Sequence, residues 1–130
     1  MRDVVRLLAA TETSGVPVVD ESHRVVGFVS DGDVASYLGR NESSLFDAAL
    51  NLYRFADDDE PQLRLARMLD LNVMDMAARH VVAVEPGDSL DEACHMLAAK
   101  RIKKMPVVEN GVLVGSLSRR NIVQAVAAGL

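Results

Sequence analysis

The chain contains an internal repeat, and no other feature of the sequence constrains the fold as strongly. Residues 13–20 read Thr-Ser-Gly-Val-Pro-Val-Val-Asp, and residues 102–109 read Ile-Lys-Lys-Met-Pro-Val-Val-Glu, so that Pro17 corresponds to Pro106. The similarity resumes after a short turn, with Val-Gly-Phe-Val-Ser ending at Ser30 and Val-Gly-Ser-Leu-Ser ending at Ser118. The chain therefore carries two copies of one structural unit.

Each copy is predicted to fold as helix, strand, strand, helix. Segments 4–10 and 93–99 match each other and place apolar residues at helical spacing. The pair Asn110-Gly111 indicates a two-residue hairpin turn in the second copy, because both residue types tolerate a positive φ. Ser30 and Ser118 each follow a strand and stand where a helix N-cap belongs.

The second copy has one further predicted element, a short strand over His80–Val84. The first copy has no counterpart, because the matching position falls ahead of Met1. Two explanations remain open: the chain is a fragment that begins inside the first copy, or the first copy is naturally short. The fragment is the preferred explanation, since a missing strand would leave a sheet edge unpaired.

Between the copies lies an insert, residues 40–71, that matches neither copy and is predicted to be helical. Phe46, Leu50 and Tyr53 fall on one helical face. The acidic run at 57–60 and the proline after it end that helix, and apolar residues within 65–69 predict a second short helix. The predicted organisation is a first motif at 1–39, the insert at 40–71 and a second motif at 72–130.

Composition argues against several classes of function. The chain has 14 Lys plus Arg against 19 Asp plus Glu, a net charge of −5, so we expect no nucleic-acid partner. Its one cysteine cannot form an internal disulfide, and no apolar run approaches the length of about 18 residues that spans a membrane. A cytoplasmic protein without direct membrane insertion is predicted. The histidines share no metal-ligand spacing, and the adjacent Cys94 and His95 would point roughly 100° apart on a helix, so we expect neither a metal site nor catalysis.

The repeated segments resemble a pair of CBS (cystathionine-β-synthase-type) motifs. The resemblance is carried by the segments around Pro17 and Pro106, together with the Gly-containing segments at 27–33 and 115–121. It implies a mixed α/β (α+β) fold in which two small sheets pack in a pseudo-twofold disc, here with the helical insert added. It also implies that two discs join as a homodimer, and that clefts between the motifs bind AMP, ADP, ATP or S-adenosylmethionine.

The resemblance assigns nucleotide contacts to a Gly-apolar-apolar-Ser/Thr-x-x-Asp signature, which here runs from Gly27 to Asp33. Asp33 would accept hydrogen bonds from both ribose hydroxyls, while Ser30 and the first N–H groups of the helix would face a phosphate. A structural interpretation stands beside this one: Ser30 caps the helix and Asp33 complements its dipole, each contributing about 0.5–1 kcal/mol. The predicted ligand-binding residues are Val16, Pro17, Ser30, Gly32, Asp33, His80, Val81, Val82, Met105, Pro106, Ser118, Arg119, Arg120 and Asn121.

The second copy departs from the signature, because Asn121 stands where the ribose carboxylate is expected. An amide oxygen can accept a hydrogen bond but carries no charge, which weakens the ribose contact by about 1 kcal/mol. Arg119 and Arg120, together with Lys103 and Lys104, could instead gather positive charge around a phosphate. An exposed basic surface is the equal alternative.

The base of the nucleotide has two sets of predicted contacts. In this family the adenine edge is read by backbone groups of the first strand, which here means His80, Val81 and Val82. Val16 and Met105 are placed to pack on the base, although each is equally a core residue before a proline. One cleft thus has the carboxylate without the strand and the other has the strand without the carboxylate, so one occupied site per chain is expected.

The predicted function is a non-catalytic regulatory module. It would sense an adenosine-containing nucleotide and transmit the binding to a regulated enzyme or transporter domain. The alternative is a ligand-free dimerisation or scaffold module, which Asn121 and the absent first strand favour.

Overall fold

Two antiparallel β-hairpins, one in each copy of the repeat, form the centre of the structure. The computed structural model describes residues 1–39 and 61–130. The elements in chain order are α1 (Arg2–Thr11), β1 (Gly15–Val19), β2 (Val25–Ser30), α2 (Asp31–Leu38), α3 (Pro61–Asp70), α4 (Val73–Met76), α5 (Leu90–Ala99), β3 (Lys104–Glu109), β4 (Val112–Ser118) and α6 (Arg119–Ala128). The predicted order of helix, strand, strand, helix is confirmed in both copies.

The hairpins follow the same register. Gly15 pairs with Ser30 and Pro17 with Phe28 in the first sheet, and a bulge follows Val18. In the second sheet the equivalent pairs and bulge recur between β3 and β4. The turn signal at Asn110 and Gly111 is confirmed, since their φ angles are 52° and 81°.

The strand predicted over His80–Val84 is wrong, because only Val84 pairs with a neighbour. Val84 forms a parallel bridge with Val107, donating from its N–H to the carbonyl of Pro106 at 3.1 Å. Its own carbonyl accepts from the N–H of Val108 at 2.8 Å. The next hydrogen bond of such a ladder would need an N–H on Pro106, which proline lacks. The ladder therefore has a single rung.

The first sheet gains a neighbour on its other side. Ala78 forms an antiparallel bridge with Phe28 of β2, through two backbone hydrogen bonds of 2.9 and 3.0 Å. Within the described residues β1 has no partner at its outer edge. Residues just after α4 thus extend the first sheet at β2, whereas the extended segment ending at Val84 touches the second sheet at β3.

The buried apolar side chains concentrate in the second copy. Val84, Ala93, Leu97 and Met105 form a core cluster, with half-buried side chains packed around it. In the first copy Val29 is fully buried.

The helix predicted within 65–69 is confirmed as part of α3, whose Met68 is buried and which packs against α1 and α2. The predicted helix through Phe46, Leu50 and Tyr53 lies outside the described residues. None of the described helices is long and apolar enough to span a bilayer.

Candidate functional site

Each hairpin ends in a serine that caps the following helix. The N–H and Oγ of Ser30 donate to Oδ2 of Asp33 at 2.7 and 2.6 Å, and the N–H of Asp33 donates back to Ser30 Oγ at 3.3 Å. Ser118 and Asn121 repeat this capping box, with Asn121 Oδ1 as the acceptor at 3.0 and 2.7 Å. The predicted N-caps are therefore confirmed in both copies.

The two capping boxes differ in the side-chain atom of their third residue that does not take part in the box. Oδ1 of Asp33 takes no hydrogen bond from any residue that the structure describes, so a charged acceptor stays available beside Ser30. In Asn121 the single side-chain oxygen is already used and the remaining group is an amide NH₂, a donor. Asp33 Oδ1 in the first copy can thus accept hydrogen bonds from two hydroxyl groups of a ligand. At the equivalent position the second copy presents the NH₂ group of Asn121, which donates.

Strand alternation divides the predicted ligand residues between two faces of each sheet. Pro17 and Ser30 share one face of the first sheet, and Pro106 and Ser118 share the equivalent face of the second. Met105 lies on the opposite face, fully buried in the core cluster. Val16 occupies the same position in the first copy and is half-buried. These two side chains therefore point away from the face that carries the serines.

The face that carries the serines is also where the two copies meet. Lys104 shares this face with Pro106, and its Nζ donates to Thr13 Oγ1 of the first copy at 2.6 Å. Lys103, the preceding residue, pairs through its Nζ with both carboxylate oxygens of Asp31 at 3.1 and 3.3 Å. Both lysines of the second copy thus reach the start of β1 and of α2 in the first.

A second junction joins the tips of the hairpins. Arg24 bridges Val112 in antiparallel fashion, and the Arg24 guanidinium donates to the carbonyl of Asn110 at 3.0 Å. Of the two flanking backbone hydrogen bonds, one runs from the N–H of Leu113 to the carbonyl of His23 at 2.9 Å, and the other from the N–H of Val25 to the carbonyl of Gly111 at 3.3 Å. The two sheets are therefore fixed to each other at the turn ends and also at the lysines, on either side of the shared face.

Burial lowers the pKa of Lys104, because its ammonium is partly desolvated at the junction of the two copies. No carboxylate within residues 1–39 and 61–130 forms an ion pair with it. Thr13 Oγ1, its one hydrogen-bond partner there, is neutral. The lowered pKa fits an ammonium that has lost water without gaining a negative charge.

The predicted arginine cluster does not form one unit with these lysines. Arg119 donates from Nε to the carbonyl of Ile102 at 2.8 Å and from Nη2 to the carbonyl of Leu97 at 2.9 Å. It thereby satisfies one backbone carbonyl in the last turn of α5 and one in the loop that follows. Arg120 is exposed on α6. The sequence pattern could not separate these roles, since all four cations lie close together along the chain.

The remaining predicted ligand residues differ in how far they are buried. His80 is exposed, Val81 is half-buried, and Val82 packs against the core cluster of the second copy. Gly32 is exposed, and a Cβ there would meet Ser30 Oγ at an ordinary distance of 3.5 Å, so the site does not require glycine at this position. Sequence reasoning missed the contacts of Lys103 and Lys104 with the first copy. The sequence did contain one signal for them: the residues of the first copy that correspond to Lys103 and Lys104 in the repeat are Ser14 and Gly15, which carry no charge.

An open cavity of about 800 Å³ lies elsewhere, on α5, and none of the predicted ligand residues lines it. It is bordered by Asp88, Asp91, Glu92, Cys94, His95 and Met96. Among the described residues no group of His, Cys, Asp and Glu side chains is arranged to hold a metal ion. The face shared by the two copies remains the better candidate, because it combines serine caps with a carboxylate oxygen and an ammonium that have no charged partner among residues 1–39 and 61–130.

Comparisons with known proteins agree with this architecture. The profile of the CBS domain family matches residues 1–40 and 73–128. The chloroplastic CBS domain-containing protein CBSX1 of Arabidopsis thaliana is 30% identical over 129 residues, which cover 95% of this chain and 54% of that protein. The chain thus spans about half the length of this curated relative.

Two solved structures resemble the fold closely. CBSX2 in complex with AMP superposes with a TM-score of 0.68 at 25% identity, covering 97% of this chain and 80% of that one. The CBS domain pair of protein MJ0100, in complex with 5-methylthioadenosine and S-adenosyl-L-methionine, gives a TM-score of 0.69 at 16% identity, covering 98% and 82%. The repeat, the two hairpin sheets and the family match lead to one conclusion: this chain belongs to the CBS domain family and has the fold of a CBS pair.

Proposed function

We propose that this chain is a non-catalytic regulatory module that binds an adenosine-containing nucleotide in the cleft beside Ser30 and Asp33. The proposal is carried by Oδ1 of Asp33, which takes no hydrogen bond from the described residues and so can accept one from a ribose hydroxyl. The ligands named for the similar structures, AMP in one and S-adenosylmethionine with methylthioadenosine in the other, support this ligand class.

The proposed site is asymmetric. Asn121 replaces the carboxylate in the second copy, and its side-chain oxygen is already engaged by Ser118. We therefore expect one nucleotide per chain, at the first copy. Backbone groups of His80–Val82 remain proposed contacts for an adenine at the second copy only.

Calorimetric titration with AMP, ATP and S-adenosylmethionine tests the proposal. The sharpest variant is Asp33→Asn, because Asn121 shows that an amide can complete the same capping box. We expect this variant to fold normally and to lose about 10- to 100-fold in affinity, since a charged hydrogen bond contributes roughly 1.5–3 kcal/mol. Binding that is unchanged in Asp33→Asn, or heat from none of the three compounds, would contradict the proposal.

Asp75→Asn is the matched control. Asp75 also completes a capping box, at the start of α4, where its Oδ2 accepts from the N–H of Asn72 at 3.1 Å. It lies outside the proposed cleft, so its replacement should leave nucleotide affinity unchanged. An equal loss of affinity in both variants would indicate a general effect of helix capping on the fold.

Transmission of the signal rests on the junctions between the copies. A ligand held at Asp33 would lie next to Asp31 and Thr13, the residues that Lys103 and Lys104 contact. Binding would then bias how the two sheets sit against each other, and so act on a regulated enzyme or transporter domain. A shift in the melting temperature with AMP, absent in Asp33→Asn, would report the coupling of binding to stability.

The second candidate function is a ligand-free dimerisation module. It is favoured by the exposed apolar side chains of α6, where Val123 and Val126 are 66% and 62% exposed. Sedimentation of the chain with and without AMP separates the two functions. A homodimer whose mass and stability ignore AMP supports the scaffold, and a dimer that Val126→Asp breaks would locate the interface on α6.

A further inference from the structure

Helix α6 carries apolar side chains that the described residues leave uncovered. The helix packs on β4, and its half-buried Ile122 lies against the core cluster of the second copy. Val123 and Val126 are each more than half exposed, and Leu130, just beyond the helix, is fully exposed. An exposed apolar surface of this kind is typical of a contact with another molecule.

The spacing of these side chains fits another helix. Val123, Val126, Ala127 and Leu130 stand at i, i+3, i+4 and i+7, so they form one stripe along the helix and just past its end. Helices that pack side by side present this spacing to each other. The surface therefore fits an α-helix that has an apolar stripe of its own.

The first copy already has such a helix over the equivalent surface. Val126 corresponds in the repeat to Leu38, which is half-buried where α3 packs against α2. The Arg64 guanidinium of α3 donates to the carbonyl of Leu38 at 3.1 Å. No described helix covers Val126 in this way. Within residues 1–39 and 61–130 the chain therefore supplies a covering helix to the first copy only.

The charges on α6 indicate which helix would cover it. Arg119 and Arg120 stand in its first turn, where the helix dipole is positive, and no basic residue stands in its last turn. Arg119 donates to carbonyls at and after the end of α5, whereas Arg120 is exposed. Arg120 lies seven residues before Ala127, about two helical turns, and so on the same side as the stripe. Its charge is unfavourable for its own helix but would be favourable beside the C-terminal end of another.

We propose that α6 of one chain packs against α6 of a second copy, with the two helices antiparallel across a twofold axis. Arg120 of each copy then lies beside the last turn of the other copy's α6, where a cation is stabilised. One contact covers the stripes of both copies, as an isologous interface does. No charged side chain follows Arg120 in the sequence, so the stripes can approach although each chain has a net charge of −5.

This inference rests on the second candidate function, the homodimer, and specifies its interface. It places the contact in the second copy alone, since α3 packs against both α1 and α2 of the first. It does not depend on nucleotide binding, so the dimer should form with or without AMP.

Sedimentation equilibrium of the whole chain at micromolar concentrations tests the interface. The unaltered chain should be a dimer. Val123→Asp should be monomeric, because dimerisation would bury a carboxylate of each copy in an apolar contact. Ala35→Asp is the matched control, since Ala35 is exposed on α2 at the repeat position of Val123 and should leave the dimer intact. Circular dichroism checks that both variants fold.

A second pair of variants tests the antiparallel orientation. Arg120→Gln and Arg6→Gln each remove one exposed positive charge, the first from α6 and the second from α1. Arg120→Gln should weaken the dimer about tenfold, because the favourable contact is lost twice, once for each copy. Arg6→Gln should leave the dissociation constant unchanged.

The outcomes separate this inference from the functions proposed above. A dimer that Ala35→Asp also disrupts would mean that the first copy takes part in the interface. A dimer that Arg120→Gln tightens would mean that the helices are parallel, with the two arginines side by side. Either result overturns the inference and leaves dimerisation standing. A chain that stays monomeric overturns the inference and the second candidate function together, while nucleotide binding by calorimetry remains a separate question.

Discussion

Helix α5 of the second copy buries Ala93 and Leu97, whereas the matching helix α1 of the first copy buries no residue completely. The difference follows from what covers each helix. In the second copy, the segment ending at Val84 attaches to β3 and contributes Val84 to the same core as α5. In the first copy α1 packs against β1 and against α3, a helix from between the copies. Equivalent apolar patterns thus reach different burial because different segments complete each layer.

The core-facing sides of the two sheets show the opposite contrast, because here the first copy is the better covered. Gly27 of β2 is buried beneath Met74 and Ala77, residues of and next to α4. Its repeat equivalent Gly115 is exposed. The segment that follows the insert therefore covers the first sheet at Gly27, and none of the described residues covers Gly115 in this way. The comparison teaches that the repeat specifies the hairpins, while the linking segments decide which parts are protected from water.

The largest expected effect tests the contrast between the helices. Leu97→Ala should lower the free energy of unfolding by about 2–5 kcal/mol, because it opens a cavity in the core cluster. The equivalent change Leu8→Ala should cost only about 1 kcal/mol, since Leu8 is half-buried. Urea denaturation of both variants measures the two values. Equal losses would show that α1 is as well covered as α5.

The next effect concerns the two glycines. A Cβ at position 27 would lie 3.0 Å from Ala77 Cβ and 3.2 Å from Met74 Sδ, so Gly27→Ala should destabilise by about 1–3 kcal/mol. Among the described residues, a Cβ at position 115 would meet only Val107 Cβ, at an ordinary 3.8 Å. Gly115→Ala should therefore be close to neutral. Thermal denaturation followed by circular dichroism compares them, and a neutral Gly27→Ala would refute the close packing of the α4 segment on β2.

The capping boxes provide a case in which the two copies should lose the same amount of stability. Ser30→Ala and Ser118→Ala each remove the same two side-chain hydrogen bonds. Each should cost about 1 kcal/mol of stability. Chemical denaturation of the pair provides the test. A much larger loss for one serine would show that its role extends beyond its cap.

The smallest effect is expected at the ion pair between the copies. Lys103 and Asp31 are both largely exposed, with side chains 65% and 49% accessible. Lys103→Met should therefore change stability by no more than about 0.5 kcal/mol, and less at high salt. Denaturation at two ionic strengths measures this. A loss above 1 kcal/mol that persists in high salt would mean that the lysine supports the junction by packing.

Much of the architecture could be predicted from the residues in order. Helical spacing, the Asn110-Gly111 turn and the serine caps are local signals, and each depends on residues within a few positions of one another. They correctly gave the paired hairpins and their flanking helices. The predicted strand over His80–Val84 was wrong because strand formation also depends on the neighbouring strand. In that strand, β3, Pro106 has no N–H to donate the second hydrogen bond.

The candidate site divides in the same way. The sequence by itself determined the Ser30–Asp33 signature, its altered counterpart at Ser118–Asn121 and the family, because these are properties of short repeated segments. Only the tertiary structure decided that Lys103 and Lys104 extend to the first copy, and that Arg119 turns to the end of α5. A lysine or arginine side chain can reach in several directions from one backbone position. The packing of the two copies decides which carbonyl, carboxylate or hydroxyl the side chain contacts. That packing cannot be read from residues that are close together in the sequence.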